Sequence, residues 1–340
     1  MQELVRRIIK GIQEVDEDLV QLPEELEATA PAYYISTQTP TLDLAIGKPG
    51  IPSGRITLLY GGEGHGKSTV AYHLLAEAQR IGGVAVLLDT EYAFDLERAK
   101  RIGICPDDLI LIHPPTVEES FVVVERVVRE VRAVDPHVPL VVVWDSLAAT
   151  PAKTEIDKKD YFYDLQPGQQ ARVLSSSLRK MIRLLATTHV VFVLVNQVRE
   201  NVGVFYGPKE IMPGGRAIKF YASLIIRVRR EGFVEEDGRR VGISCVAEVE
   251  KNKLAPPFRT ANFIITFDRG IDRVANLLEA AILCGLVTKN GGWLAGVGDL
   301  ASLNGGKRFR EKDWEGLLTA EVEEVIRRHL WEKGGFRSEG

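Results

Sequence analysis

The stretch GGEGHGKST, residues 61–69, decides the fold. It has the spacing of a phosphate-binding loop, since Gly61 is followed by four residues and then by Gly66, Lys67 and Ser68. The loop follows an apolar run that predicts a strand, and it precedes a pattern that predicts a helix. This context is what the loop requires, because phosphates bind at the start of the helix. Pumps, kinases, helicases and recombinases all use such loops, so the motif alone does not choose among them.

The residue types of the loop fit the binding of a nucleotide together with Mg²⁺. Backbone N–H groups of residues 62–68 can converge on phosphate oxygens, and glycines let the backbone approach closely. We expect Lys67 to neutralise the β- and γ-phosphates and the Ser68 hydroxyl to hold Mg²⁺. The predicted nucleotide-binding loop comprises Gly61, Gly62, Glu63, Gly64, His65, Gly66, Lys67, Ser68 and Thr69.

Working outward from the loop, apolar runs alternate with helical patterns. Each run predicts a buried strand: RITLLY (55–60), VAVLLD (84–89), LILIH (109–113), LVVVWD (140–145) and VVFVLVN (190–196). The alternation predicts an α/β fold with a mostly parallel sheet covered by helices on both faces. After Ser223 the pattern changes to antiparallel strands that extend the sheet. We predict an N-terminal helix and linker (1–33), a core (34–274) and a small C-terminal α/β domain (275–340).

Polar residues close three of the predicted strands at the ligand-binding edge of the sheet. Asp145 ends one strand and is expected to hold Mg²⁺ through water. Glu91 could orient and deprotonate an attacking water, but Asp89 is two residues earlier on the same face, and spacing does not choose between them. Gln197 ends another strand and could hydrogen-bond the γ-phosphate.

Composition bounds the class of protein. The chain has 340 residues, of which 45% are hydrophobic and 26% charged, and its net charge is −4. No apolar run is long enough to span a bilayer, so no membrane role is expected. Three scattered cysteines show neither metal spacing nor a disulfide framework, which fits a reduced cytoplasm. The segment 216–230 holds five basic residues and no acid, which suits either a polyanion or a solvated face.

From about residue 35 to its end, the chain resembles the bacterial RecA recombinase family. Five segments carry the resemblance: ISTQTPTLDLAIGKPGIPSGRI (35–56), LLDTEYA (87–93), NQVRENVGVFYG (196–207), PGGRAIKFYAS (213–223) and EKNKLAPPF (250–258). The resemblance implies a P-loop ATPase core with ATP and Mg²⁺ as cofactors and Glu91 as the catalytic carboxylate. It also implies a cytoplasmic protein that forms helical filaments on single-stranded DNA, pairs it with homologous duplex DNA and exchanges strands.

The resemblance further assigns residues to subunit and DNA contacts. Lys251 and Lys253 are expected to reach the ATP of the neighbouring subunit, which gives the expected catalytic set Glu91, Lys67, Gln197, Lys251 and Lys253. Ile8 and Ile12 of the N-terminal helix, with Phe220, are expected at the subunit interface, although the helix could equally pack on its own domain. The expected DNA contacts are Lys158, Lys159, Tyr161, Phe162, Tyr163, Arg172, Arg199, Val202, Gly203, Phe205, Tyr206, Gly214, Gly215, Arg216 and Lys219.

The chain also departs from the family pattern. Arg98 stands where the family usually has a Tyr that stacks on adenine, and a guanidinium plane can also stack. The first DNA loop, residues 155–170, is more aromatic than usual. Two other functions use the same core: a ring-forming helicase, which would need an arginine at the position of the lysine pair, and a DNA-coating scaffold with little hydrolysis.

Overall fold

The computed structural model describes residues 30–156, 169–200 and 210–332, together with Arg7 and Lys10. Its strands are β1 (Tyr34–Ile35), β2 (Ile51–Pro52), β3 (Arg55–Gly61), β4 (Val84–Asp89), β5 (Leu109–Ile112), β6 (Leu140–Asp145), β7 (Val191–Gln197), β8 (Arg199–Glu200), β9 (Glu210–Ile211), β10 (Leu224–Glu236), β11 (Arg239–Asn252), β12 (Thr260–Thr266), β13 (Gly270–Ile271), β14 (Val287–Asn290) and β15 (Trp293–Gly296). Its helices are α1 (Pro40–Ile46), α2 (Lys67–Arg80), α3 (Leu96–Ile102), α4 (Val117–Val134), α5 (Lys153–Ile156), α6 (Gln169–Thr188), α7 (Gly215–Tyr221), α8 (Arg273–Leu283), α9 (Trp314–Leu317) and α10 (Ala320–Glu332).

A nine-stranded sheet organises the chain, in the order β13-β12-β11-β10-β3-β7-β6-β4-β5. Strands β3 to β7 pair in parallel, and β10 pairs in parallel with β3. Strands β10 to β13 then run antiparallel to one another. The sheet is therefore parallel through its centre with an antiparallel extension, which confirms the predicted fold class.

Helices cover both faces of the sheet because its central strands are apolar on both sides. On one face α2 and α3 pack through residues such as Leu74 and Ile102. On the other face α4, α6 and α7 pack through residues such as Phe121, Leu178 and Ile218. Strand β6 is buried along its apolar length, as a strand covered on both faces must be.

One predicted buried strand lies instead at the margin of the sheet. Strand β5 is last in the strand order, and it pairs only with β4 among the described residues. Ile110 and Leu111 remain 41% and 38% exposed as a result. The prediction that β5 is buried was wrong, because an apolar run shows that a strand forms but does not show its place in the sheet.

A third hydrophobic cluster lies at the C-terminal end and holds α8, the β14–β15 hairpin, α9 and α10 together. This unit is joined to the core by Asn276 of α8, whose side chain is 2% exposed. Its amide oxygen accepts from the Thr41 N–H (3.1 Å), and its amide nitrogen donates to the Thr41 hydroxyl (2.7 Å). Leu44 of α1 packs on the same cluster. The domain boundary predicted at 274/275 falls inside α8 and stays a prediction.

Candidate active site

The loop of residues 61–69 joins the carboxyl end of β3 to the first residue of α2. Gly64 and Gly66 adopt left-handed backbone angles, with φ of 66° and 90°. The Gly62 N–H donates to Nδ1 of His65 (3.2 Å), so the imidazole folds back on the loop. The chain therefore curls tightly ahead of the helix, and the following N–H groups lie at the start of α2, where an anion binds well.

Lys67 is the first residue of α2 and is buried in the loop. Its ammonium donates to the Gly62 carbonyl at 2.6 Å. Burial lowers the pKa of Lys67, while the nearby carboxylates of Asp145, Glu91 and Glu63 act in the opposite direction. Because the Lys67 ammonium is hydrogen-bonded to a neutral carbonyl, it gains charge compensation when a polyanion enters the loop.

Ser68 and Asp145 are brought together where α2 begins and β6 ends. Their side chains are hydrogen-bonded to each other. Burial raises the pKa of Asp145 to about 6; the Ser68 hydrogen bond and the Lys67 charge oppose this rise, and the Glu91 and Asp89 charges add to it. A hydroxyl and a carboxylate in contact form a hard oxygen donor set of the kind that Mg²⁺ takes alongside phosphates and water.

Glu91 lies just beyond the end of β4 and faces the same edge. Its carboxylate accepts a hydrogen bond from the Ser146 hydroxyl and another from the Gln197 amide at 2.9 Å. The sheet register explains this meeting, because β6 lies between β4 and β7 and each of these strands ends in a polar residue. Sequence reasoning missed Ser146, whose only signal was its place directly after Asp145.

Asp89 has a different environment from Glu91, although the two are separated by one residue. Its side chain is buried, and its carboxylate accepts from the backbone N–H groups of Glu91 (3.2 Å), Ala93 (3.3 Å) and Phe94 (3.0 Å). Because three donors already occupy it, Asp89 organises the loop, whereas the Glu91 carboxylate faces the open edge. The structure separates two carboxylates that spacing left equivalent.

Arg98 lies on the first turn of α3, against the first turn of α2. Its guanidinium donates to the Thr69 hydroxyl at 2.7 Å, and the Asp95 carboxylate caps its backbone N–H at 3.0 Å. Arg98 thus contacts a residue two positions beyond Lys67, beside the helix turn that follows the phosphate-binding loop. A planar cation in this place can stack on a base or bind an anion.

Lys251 is level with Leu58 in the middle of β3, through its partner Ile225 on β10, and Lys253 follows β11 toward the start of β3. Asn252 between them pairs with Leu224, and Leu224 pairs with Thr57. The four residue steps from Thr57 to Gly61, where β3 ends, span roughly 13 Å. Lys251 donates to the carbonyls of Lys219 (2.8 Å) and Phe220 (3.0 Å), while Lys253 is exposed beside a cleft of about 360 Å³.

The residues expected to contact DNA are only partly within the described chain. Arg172 is exposed on α6, and Gly214 precedes α7, which begins with Gly215 and Arg216. Lys219 lies near Glu250 (3.8 Å) and over the Tyr60 ring (5.0 Å), a pairing that the basic strip did not predict. The backbone of Arg199 is in β8. The others lie outside the described residues: Lys158, Lys159, Tyr161, Phe162, Tyr163, Val202, Gly203, Phe205 and Tyr206.

Of the three residues expected at the subunit interface, one lies within the described residues and two lie outside them. Phe220 is 73% exposed at the end of α7, with its ring edge-on to Tyr221. Ile8 and Ile12 lie outside the described residues.

Comparison with known proteins identifies the family to which the chain belongs. The family model described as "RecA N-terminal domain" matches residues 12–272. The chain belongs to the RecA family. This is a family of DNA recombination and repair proteins that bind ATP and DNA, and the chain is a RecA recombinase by this membership.

Named relatives cover most of the chain. It is 43% identical over 303 residues to a "Protein RecA" of Thermus thermophilus, and the match covers 88% of this chain and 85% of the relative. It is 39% identical over 306 residues to "Protein RecA" of Heliobacterium modesticaldum, with 89% and 85% covered. It is 39% identical over 272 residues to "Protein RecA" of Aquifex pyrophilus, with 80% and 76% covered.

Two features are absent from the described part of the chain. Among those residues, no helix is both long and apolar enough to cross a membrane. The same residues contain no group of three or more His, Cys, Asp and Glu side chains arranged to hold a metal ion. The cation donors identified above are instead one hydroxyl and one carboxylate.

Proposed function

We propose that this protein is a DNA-dependent ATPase that uses ATP and Mg²⁺ and assembles as a helical homo-oligomer on single-stranded DNA. The filament pairs the bound strand with homologous duplex DNA and exchanges strands. We place this activity in the cytoplasm of a bacterium, or of a host cell if a phage encodes the chain. The nearest alternatives, a ring helicase and a weakly hydrolysing scaffold, are separated from it by the experiments below.

A single observation carries the ATPase proposal: three sets of groups meet at one edge of the sheet. The phosphate-binding loop supplies the buried Lys67 ammonium, and the Ser68–Asp145 pair supplies cation donors. Glu91 faces the same space and is bound to Gln197. A scaffold that only coats DNA has no need to bring all three sets to one edge.

When bound, ATP would supply the scissile phosphoanhydride and Mg²⁺ a divalent charge. Each of the protein groups then has its own chemical task. The Lys67 ammonium and the loop N–H groups hold phosphate oxygens and offset their charge. Glu91 orients a water and takes its proton, because its exposed carboxylate faces the edge of the sheet where the phosphates bind. Gln197 links this carboxylate to the end of β7, from which the chain continues toward the predicted second DNA loop.

The proposed assembly rests on an exposed edge and an exposed helix end. Ile110 and Leu111 of β5 leave apolar side chains at the margin of the sheet, and Val122 of α4 is exposed as well. We propose that the N-terminal segment of a second copy covers them, since an open strand edge offers backbone groups for strand addition. Phe220, exposed at the end of α7, is the other apolar side chain that we propose at the interface.

The position of the lysine pair supports the proposal of catalysis across the interface. Measured along β3, Lys251 and Lys253 lie three or more residues from the strand end that carries their own loop, which favours contact with the nucleotide of a neighbour. An ammonium is a compact charge that can stabilise negative charge on a phosphate. This proposal treats the lysines as acting in trans and Lys67 as acting in cis.

Two measurements test the proposal. ATP hydrolysis is measured with and without single-stranded DNA, for the natural protein and for Lys67→Ala. We expect DNA to stimulate hydrolysis only in the natural protein; the same slow hydrolysis in both would favour the scaffold. Electron microscopy with ATP and DNA is expected to show helical filaments, and closed rings would favour the helicase.

A further inference from the structure

The loop that carries Glu91 has a strained backbone at the next residue. Tyr92 adopts a φ of 55°, in the left-handed region, and its side chain is 73% exposed. A non-glycine residue pays an energetic cost for this conformation and keeps it only where its surroundings impose it. The loop therefore needs contacts that hold Tyr92 in place.

The Tyr92 ring provides one of these contacts. It stacks on the imidazole of His113, with ring centroids 4.7 Å apart and planes within 8° of parallel. His113 directly follows β5, the strand beside β4. The stack therefore ties the Glu91 loop to the end of the neighbouring strand.

Hydrogen bonds also connect His113 to the loop that carries Glu91, through Asp89. Nδ1 of His113 donates to the backbone carbonyl of Asp89 at 2.7 Å. The Asp89 carboxylate in turn accepts the N–H of Glu91 and the N–H groups of Ala93 and Phe94. Asp89, Tyr92 and His113 thus hold the backbone on either side of Glu91, and its carboxylate reaches toward Gln197.

We propose that Tyr92 and His113 are positioning residues for Glu91 and act on ATP hydrolysis only through its carboxylate. This inference rests on the proposed function. Both side chains lie at the surface rather than in the three hydrophobic clusters, so their loss removes little buried apolar area. Their loss does release the backbone that positions the Glu91 carboxylate. Small displacements of a general base lower the rate strongly.

The test is a double-mutant cycle with steady-state hydrolysis of radiolabelled ATP in the presence of single-stranded DNA. Tyr92→Ala and His113→Ala are each made alone and together with Glu91→Gln. Each single variant is expected to lower kcat about tenfold with the KM for ATP unchanged. A tenfold loss corresponds to about 1.4 kcal/mol, near the upper value for an aromatic pair. In the Glu91→Gln background the same changes should cause no further loss.

The matched control is Tyr92→Phe, which keeps the stacked ring and is expected to retain the natural rate. Equal losses in both backgrounds would overturn the inference, because the pair would then act independently of Glu91. A raised KM with unchanged kcat would also overturn it. If Glu91→Gln itself hydrolyses ATP at the natural rate, both the proposed role of Glu91 and its positioning by this pair fail, whereas the first two outcomes spare the role of Glu91.

Discussion

Substitution of Gly66 by Ala tests how tightly the phosphate-binding loop is built. A Cβ at this position would lie 2.3 Å from Cδ1 of Ile265, far inside van der Waals contact. The next nearest atoms, Sγ of Cys245 (3.6 Å) and Cγ1 of Ile265 (3.7 Å), are at ordinary distances. The steric conflict thus comes from one methyl group on strand β12.

Two costs add up in this variant. The left-handed φ of 90° costs an alanine about 1–2 kcal/mol. Forcing a methyl into a packed interior costs typically about 1–3 kcal/mol through displaced neighbours. The sum of about 2–5 kcal/mol predicts that nucleotide affinity falls between about 30-fold and a few thousand-fold, because the loop must regain its shape to bind.

Two further variants separate these costs. Gly64→Ala has a similar left-handed angle (66°), but a Cβ there meets only Nη1 of Arg230, at 3.8 Å. It should lose only about 5- to 30-fold in affinity, the equivalent of the backbone cost alone. Ile265→Val removes the conflicting Cδ1 and, combined with Gly66→Ala, should bring the affinity close to that of Gly64→Ala.

Titration with a fluorescent ADP analogue measures the natural protein, Gly64→Ala, Gly66→Ala, Ile265→Val and the double variant, and thermal unfolding without nucleotide checks that each is folded. Equal losses in Gly64→Ala and Gly66→Ala would refute the steric argument. So would a double variant that binds no better than Gly66→Ala alone, provided that Ile265→Val by itself binds normally.

Two other predictions concern charge. Because the pKa of Asp145 is raised to about 6, its carboxylate gains a proton as the pH falls through that value. The Mg²⁺-dependent part of ATP affinity should then fall about fivefold between roughly pH 6 and pH 5, and Asp145→Asn should abolish this dependence, as isothermal titration with and without Mg²⁺ would show. Lys67→Ala and the double variant Lys251→Ala/Lys253→Ala should each be inactive in DNA-stimulated hydrolysis. A mixture of the two should regain part of the activity, because some interfaces then pair an intact loop with intact lysines. A co-assembled mixture that stays inactive would contradict catalysis in trans.

Sequence patterns predicted the sheet and the edge where the site lies, because buried parallel strands are apolar throughout and their carboxyl ends meet at one edge. They could not choose between Asp89 and Glu91. That choice depends on where the chain turns after β4, since the turn directs three N–H groups at Asp89 and leaves Glu91 facing Gln197.

Contacts between distant segments were also beyond prediction. The basic strip suggested that Lys219 is available to phosphates, but the structure places this residue of α7 near Glu250 of β11 and over the Tyr60 ring of β3. The contact of Lys251 with the last carbonyls of α7 has no sequence signal either. Both depend on strand order, which the chain does not encode locally.

The Asn276 amide restricts how the protein can be cut or recombined with its relatives. A chain ended before α8 would leave the Thr41 N–H without its acceptor and would uncover Leu44. An unsatisfied buried amide costs about 1–3 kcal/mol, before any loss of apolar contact. The C-terminal unit therefore cannot be exchanged by itself between relatives. A chimera needs residues at positions 41 and 276 that hydrogen-bond to each other, so the two positions are expected to change together.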